Sequence, residues 1–404
     1  MAPARSGTGD RGSPLEVLGA FLTLGLTSFG GPVAHLGYFR REFVERRGWL
    51  DEAAYADIVA LCQFLPGPAS SQTGLMIGLS RAGYAGAAAA WVGFTTPSAL
   101  AMTLFALAAP ALTHTLGGGW LHGLRLAAVA VVAQAVLAMS RSLTPDAPRA
   151  SVAVAAALAA LWAPSPLTQL AVIIGGLAIG LLAFRTGVDG SRPPLPVFVA
   201  RRVAVGALAL FGGLLIVLPL AARLTGDHGL DLFARFYRVG SLVFGGGHVV
   251  LPLLQAEVVP PGWIGQGAFL TGYGAAQAVP GPLFTFAAYL GAAMRPAPDG
   301  WAGAAICLAA IFLPSFLLIV GVAPFWNALR DRPGTRGALA GANAAVVGLL
   351  AAALYTPVWT SAVTNPTDVG LVLVAFLLLA AWRTPPWLVV GLSAVAAQAL
   401  AVLT

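Results

Sequence analysis

A chain of 404 residues that is 58% hydrophobic and only 9% charged, with a mean hydropathy of +0.84, has too few charged groups to clothe a water-soluble core and belongs in a lipid bilayer. The net charge of +7 would suggest nucleic acid in a soluble domain, but all 22 cations are Arg and their placement sets membrane orientation instead, so no nucleic-acid partner is read from it. Without Lys there is no Walker A loop and no Schiff-base amine, which argues against direct ATP hydrolysis.

Residues 1–14, where Arg5, Asp10 and Arg11 lie among Gly, Ser and Pro, read as a short disordered tail and not as a cleavable targeting segment. A first repeat is predicted over 15–184 and a second over 230–404. Between them, 185–229 supplies a basic linker (Arg185, Arg192, Arg201, Arg202) and one apolar connecting segment at 203–222. The repeats show because one unusual pair of motifs occurs twice: Phe29-Gly30-Gly31 then Pro66-Gly67-Pro68, and Phe244-Gly245-Gly246 then Pro280-Gly281-Pro282. Phe29 to Phe244 is a step of 215 residues, whereas Trp49 to Trp263, Gln63 to Gln277 and Pro66 to Pro280 are steps of 214. Gly and Pro interrupt helices, and matched interruptions in two apolar regions point to a transporter binding site at a repeat interface.

Further apolar stretches at 85–112, 120–139, 150–163, 167–184, 301–325, 337–355, 369–382 and 386–403 read as conventional helices. Gly86, Gly93, Gly175, Gly176 and Gly180 are placed to let neighbours approach, Pro97 and Pro314 are expected to kink their helices, and Cys62 and Cys307 read as reduced packing residues. The fold class is thus an all-α polytopic membrane protein of two inverted-topology repeats, with broken or re-entrant hairpins at the Gly-Gly-Pro and Pro-Gly-Pro breaks. No period-two strand pattern of barrel length competes.

Charge supports the inversion. The first loop after a Gly-Gly break carries Arg40, Arg41, Arg46 and Arg47, whereas its second-repeat equivalent, 255–262, has Glu257 and no Arg. With the N-terminus cytoplasmic, seventeen arginines fall inside, four (Arg223, Arg235, Arg238, Arg295) fall outside, and Arg125 lies within a helix. This holds only if the first two motifs of each repeat form hairpins that leave and return on one side.

Breaks at membrane depth persist only where they face protein or a hydrated cavity, so they mark a pathway. Pro32 and Pro68 suit new helix starts. Ser70 and Ser71, with free helix-start N–H groups, offer an anion nest, to which Ser71's counterpart Thr285 adds a hydroxyl. Phe29, Gly30, Gly31, Pro66, Gly67, Pro68, Phe244, Gly245, Gly246, Pro280, Gly281 and Pro282 form the substrate-binding breaks, and Gln63 and Gln277 are neutral donors three residues before each Pro-Gly-Pro. Helix-to-helix hydrogen bonding is the alternative role for the glutamines. His35 and His248 could donate or relay protons or simply pack. Asp57 could couple protons or start a solvated helix, and Arg125 could contact an anion or snorkel. No HExxH, Cys/His cluster or Gly-x-Ser-x-Gly elbow points to a metal, a cofactor or an enzyme.

The Phe29–Gly31 stretch with its continuation to Gly48-Trp49-Leu50, the run Gln63-Phe64-Leu65-Pro66-Gly67-Pro68, and the second-half pair 244–248 and 277–282 resemble the chromate ion transporters, whose long members contain two homologous halves. The resemblance covers essentially the whole chain. It implies export of chromate from the cytoplasm across a bacterial inner membrane, with sulfate as a related oxyanion. Residue pattern alone reaches an inorganic anion carrier, with two alternatives: an anion channel of the same architecture, and a structural or lipid-handling membrane protein. Gly-rich helix faces also suit a homodimer.

Overall fold

In a computed structural model, residues 12–184, 199–329 and 332–403 are described, and they fold into helices with no β-strand among them. The expected tail therefore lies mostly outside the described residues, as does the linker from 185 to 198. Seven of the described helices are long and apolar enough to cross a membrane, so this is a multi-pass membrane protein.

The first repeat comprises α1 (Pro14–Thr27), α2 (Gly31–Arg40) running into a π turn at Arg41–Arg46, α3 (Glu52–Phe64), α4 (Ala69–Leu116), α5 (Gly119–Leu143), α6 (Ala147–Trp162) and α7 (Pro166–Ala183). One helix, α8 (Arg201–Thr225), leads to the second repeat. There α9 (His228–Leu242), α10 (Val250–Val258), α11 (Gln266–Ala276) and α12 (Phe286–Ala293) precede α13 (Gly300–Val322) and the short α14 (Trp326–Leu329). The chain ends with α15 (Pro333–Ala353), α16 (Thr360–Ala362), α17 (Pro366–Ala380) and α18 (Pro386–Leu403). Ser13, Asp51, Asp146, Ser165, Asp227 and Asn365 cap their helices by accepting a first-turn N–H, which is why those helices begin where they do.

The repeats correspond element by element. In α4, non-helical Ala82 and Gly83 (φ +66) fold a first arm back on a second. The arms touch so closely that a Cβ on Gly78 would lie 2.3 Å from the Gly86 carbonyl oxygen. The separate helices α12 and α13 repeat that approach through Gly291 and Gly303. Pro97 and Pro314 lie inside helices that continue past them, as a proline that removes one hydrogen bond allows, whereas a positive-φ glycine reverses the chain. Gly86, Gly93, Gly176 and Gly180 do bring backbones together, while Gly175 faces open space.

Two tryptophans fix the orientation of the repeats. At one face, Arg81 ending the first arm of α4 pairs with Glu16 at the start of α1 (3.2 Å), and Arg47 and Arg81 each lie 5.2 Å from the Trp49 ring centroid. Arg40 reaches Glu52 at the start of α3 (2.7 Å). Both helix pairs, α1 with α2 and α3 with the first arm of α4, therefore leave and return on this Arg-rich face. The Trp263 cluster mirrors it: Arg235 lies 4.4 Å from the ring, His228 meets it edge-on, and the Arg295 N–H donates to the Trp263 carbonyl at 3.0 Å. The second arm of α4 traverses from the Trp49 side to the start of α5, where Arg125 lies against Gly267 at the start of α11. The two clusters thus occupy opposite faces and the repeats are inverted.

The repeats interlock reciprocally. The last helix of each packs on a long helix of the other: α18 on α5 through Gly123 against Ser393 and Ala394, and α7 on α15, the counterpart of α5, through Gly176 and Gly180 against Gly341 and Gly337. Close backbone approach, not hydrophobic exclusion, is what associates helices in lipid, and it requires these small residues.

Candidate functional site

The four chain breaks are Ser28–Gly30, Leu65–Pro68, Val243–Gly246 and Gln277–Pro282. They turn on glycines at φ +100 (Gly30), +123 (Gly67), +145 (Gly246) and +97 (Gly281), values that side-chain-bearing residues resist. The breaks are tied crosswise between repeats. The Gly67 N–H donates to the Val243 carbonyl at 2.7 Å, and its counterpart Gly281 N–H donates to the Ser28 carbonyl at 2.9 Å. Each Pro-Gly-Pro also leans on the other repeat's long helix: Gly67 sits against Ser315 of α13, and Gly281 against Ser98 of α4. Backbone groups exposed by the breaks thus find partners in protein, as the bilayer demands.

Two adjoining cavities open from these breaks. One, of about 520 Å³, is bordered by Gly30, Gln63, Gly67, Gly245, Gly246 and Asn343. The other, of about 410 Å³, is bordered by Gly30, Gly31, Gln277, Gly281, Arg383 and Thr384. Gly30, Gln134 and His248 line both, so all four breaks reach one polar region. The larger cavity runs to Ser142 and Leu143 at the Arg-rich end of α5. On the opposite face, the space bordered by Leu349, Ala352, Ala353 and Thr356, the counterparts of Ala135, Ala138, Met139 and Ser142, shrinks to about 200 Å³. There the Gln169 amide donates to the Pro252 carbonyl at 3.1 Å, tying α7 to α10.

The predicted site residues divide. Gly30, Gly31, Gln63, Gly67, Gly245, Gly246, Gln277, Gly281 and His248 line the cavities. The Gln277 side chain lies at the smaller cavity beside Tyr273, with its Nε2 buried. His248 Nδ1 lies 2.8 Å from the Tyr273 hydroxyl, a contact that fixes the ring at the junction of the two cavities.

The others have different positions. Phe29 packs on Trp387 (centroids 5.9 Å apart), and Phe244 packs on the core. The Pro66 carbonyl accepts from Gln72 at 2.7 Å, while Pro68, Pro280 and Pro282 shape the turns without lining either cavity. Ser70 bonds His35 at 3.3 Å, Ser71 is buried with its hydroxyl unpartnered, and the Thr285 hydroxyl donates to the Pro282 carbonyl at 2.8 Å. Of the hydroxyls in the expected nest, only that of Thr285 is tied to its own helix start; Ser70 is engaged by His35 and Ser71 bonds nothing. His35 is buried and bridges Ser70 and the Ser28 carbonyl (3.2 Å), so it pins the first break. Asp57 is buried, not at a solvated helix start, and accepts from Trp326 Nε1 of the second repeat at 3.1 Å. Arg125 stands near the opposite face with its Nε buried and unpartnered, away from both cavities.

Sequence reading missed Gln134, Asn343 and Arg383. The first two are lone amides in apolar helices, a signal open to notice. Arg383 gave none, since it reads as one more topology-setting cation between apolar segments.

This fold and site define a polytopic membrane protein whose two inverted repeats enclose a donor-rich cavity, the architecture of secondary transporters. The chain belongs to the chromate transporter family, whose model matches residues 15–181 and 230–398. It is 28% identical over 347 residues to the chromate transport protein of Pseudomonas aeruginosa, covering 83% of this chain and 79% of that one. The chromate transport protein of Cupriavidus metallidurans is 28% identical over 379 residues, 92% of this chain and 89% of its own length. An uncharacterized transporter of Methanocaldococcus jannaschii is 28% identical over 347 residues, 84% and 83% of the two chains. No solved structure matches.

Proposed function

We propose that this protein is a secondary carrier that exports chromate from the cytoplasm and also accepts sulfate. The carrying observation is the convergence of all four breaks on two cavities that share Gly30, Gln134 and His248. The donors there are neutral amides, an imidazole and glycine backbone, with Arg383 at the edge, a set suited to a tetrahedral oxyanion. Chromate and sulfate share charge and shape, so such donors discriminate by fit and not by type.

The positive-inside rule assigns the Arg-rich face, with the N-terminus, to the cytoplasm of a bacterial inner membrane. The wide cavities then form an inward-open vestibule, and the narrow pocket crossed by Gln169 is the closed outer gate. Exchanging these conformations between repeats would rock the site outward. With the cytoplasm negative, a dianion leaves with roughly 4 to 5 kcal/mol in its favour at about 100 mV.

Purified protein in sealed proteoliposomes tests the proposal. Saturable chromate uptake, accelerated by sulfate loaded on the far side, is expected of a carrier; flux that rises linearly with concentration would mean a channel, and no uptake above empty vesicles would end both readings.

A further inference from the structure

The turn between α17 and α18 enters the smaller cavity with Arg383, Thr384 and Pro385. Two features single out Arg383. It is the one non-glycine with positive φ (+53) among the described residues, and it is the only arginine among the described residues lining either cavity. Its backbone closes α17: the Trp382 N–H donates to the Leu377 carbonyl (3.2 Å) and the Thr384 N–H to the Leu378 carbonyl (2.9 Å), leaving Arg383 at the left-handed position where glycine is the usual occupant. A strained non-glycine at a ligand cavity is the kind of outlier from which a function is inferred. Among the described residues, no carboxylate forms an ion pair with it.

We propose that Arg383 is the charge-selecting contact of the transport site, meeting the dianion at the cytoplasmic mouth beside Gly31, Gln277 and Gly281. This rests on the oxyanion-carrier reading. Its planar fork of donors matches a tetrahedral oxyanion's edge, and its fixed charge rewards a dianion over a monoanion. The corresponding first-repeat turn, Ala163-Pro164-Ser165, borders the small outer pocket through Pro164 and Ser165 and brings no cation. Capture is therefore polar: tight from the cytoplasm, loose on the outside, where product must leave.

Glycine separates a binding role from a structural one, because it suits φ +53 better than arginine does. In proteoliposomes, R383Q and R383G should both raise the KM for chromate at least tenfold, R383K should recover most of the loss, and R383G should melt no lower than the parent protein. Nitrate, a monoanion, should compete with chromate relatively better in R383G than in the parent. If the parent transports chromate and R383G keeps its KM within about twofold, the Arg383 assignment falls while the carrier reading stands. If the parent itself moves no chromate, both fall.

Discussion

Replacing Gly281 by alanine probes the crosswise pairing that holds the site together. At φ +97 a side chain strains the backbone by about 1–3 kcal/mol. The new Cβ would also sit 2.8 Å from the Ser98 hydroxyl and 3.1 Å from the Phe94 carbonyl oxygen of α4, so the break must draw back. Withdrawal stretches the 2.9 Å bond from the Gly281 N–H to Ser28, whose loss adds about 1 kcal/mol. Together G281A should lose about 2–4 kcal/mol of stability. G31A is the control, since Gly31 also has positive φ (+76) but faces open space and should lose only about 1 kcal/mol. Adding Ser98→Ala to G281A removes the closer contact and should return about 1 kcal/mol, a coupling absent between S98A and G31A. Thermal unfolding in detergent reads all of these. Equal melting of G281A and G31A, or no recovery with S98A, would refute the wedge.

Other substitutions test the division of roles. Q277A removes a donor that lines the smaller cavity, so it should lose no more than about 1 kcal/mol of stability while weakening chromate affinity about tenfold in vesicles; unchanged affinity would dismiss the residue. Trp326→Phe takes the indole donor from buried Asp57 and should lower stability by about 1–2 kcal/mol in thermal unfolding. Asp57→Asn should transport with an unaltered pH profile, and a shifted profile would restore the proton-relay reading. Glu257 is buried and holds Arg238 at 3.0 Å while also approaching Arg235, so E257Q should lose about 1–3 kcal/mol of stability, with solvent at the half-exposed arginines limiting the damage.

Much of the fold was legible because Gly and Pro leave marks in apolar sequence. The duplication, the hairpins that return to one face and the inverted second repeat followed from Phe29, Pro66 and their counterparts, together with the arginine distribution. The reversal at Ala82-Gly83 did not, since it looks no more disruptive in sequence than Pro97 and only dihedrals distinguish a bend from a reversal. Cavity glycines and both glutamines were legible for the same reason as the breaks. The contacts of Ser70, Ser71, Thr285 and His35 were not legible, because a hydroxyl at a helix start can meet the backbone, another side chain or a ligand, and a bridging imidazole and a relaying one share a sequence. Arg383 depended on α17 ending where it does, and helix ends are set by packing that one sequence does not display.

A cryo-EM map of the protein in lipid nanodiscs at saturating chromate would locate the substrate directly. Density is predicted where the two cavities meet, touching Gly30, Gln134 and His248 and within reach of Gln277. Chromate density confined to the surface or to the outer pocket, with that junction empty in protein that transports, would contradict the assignment of the breaks as the binding site.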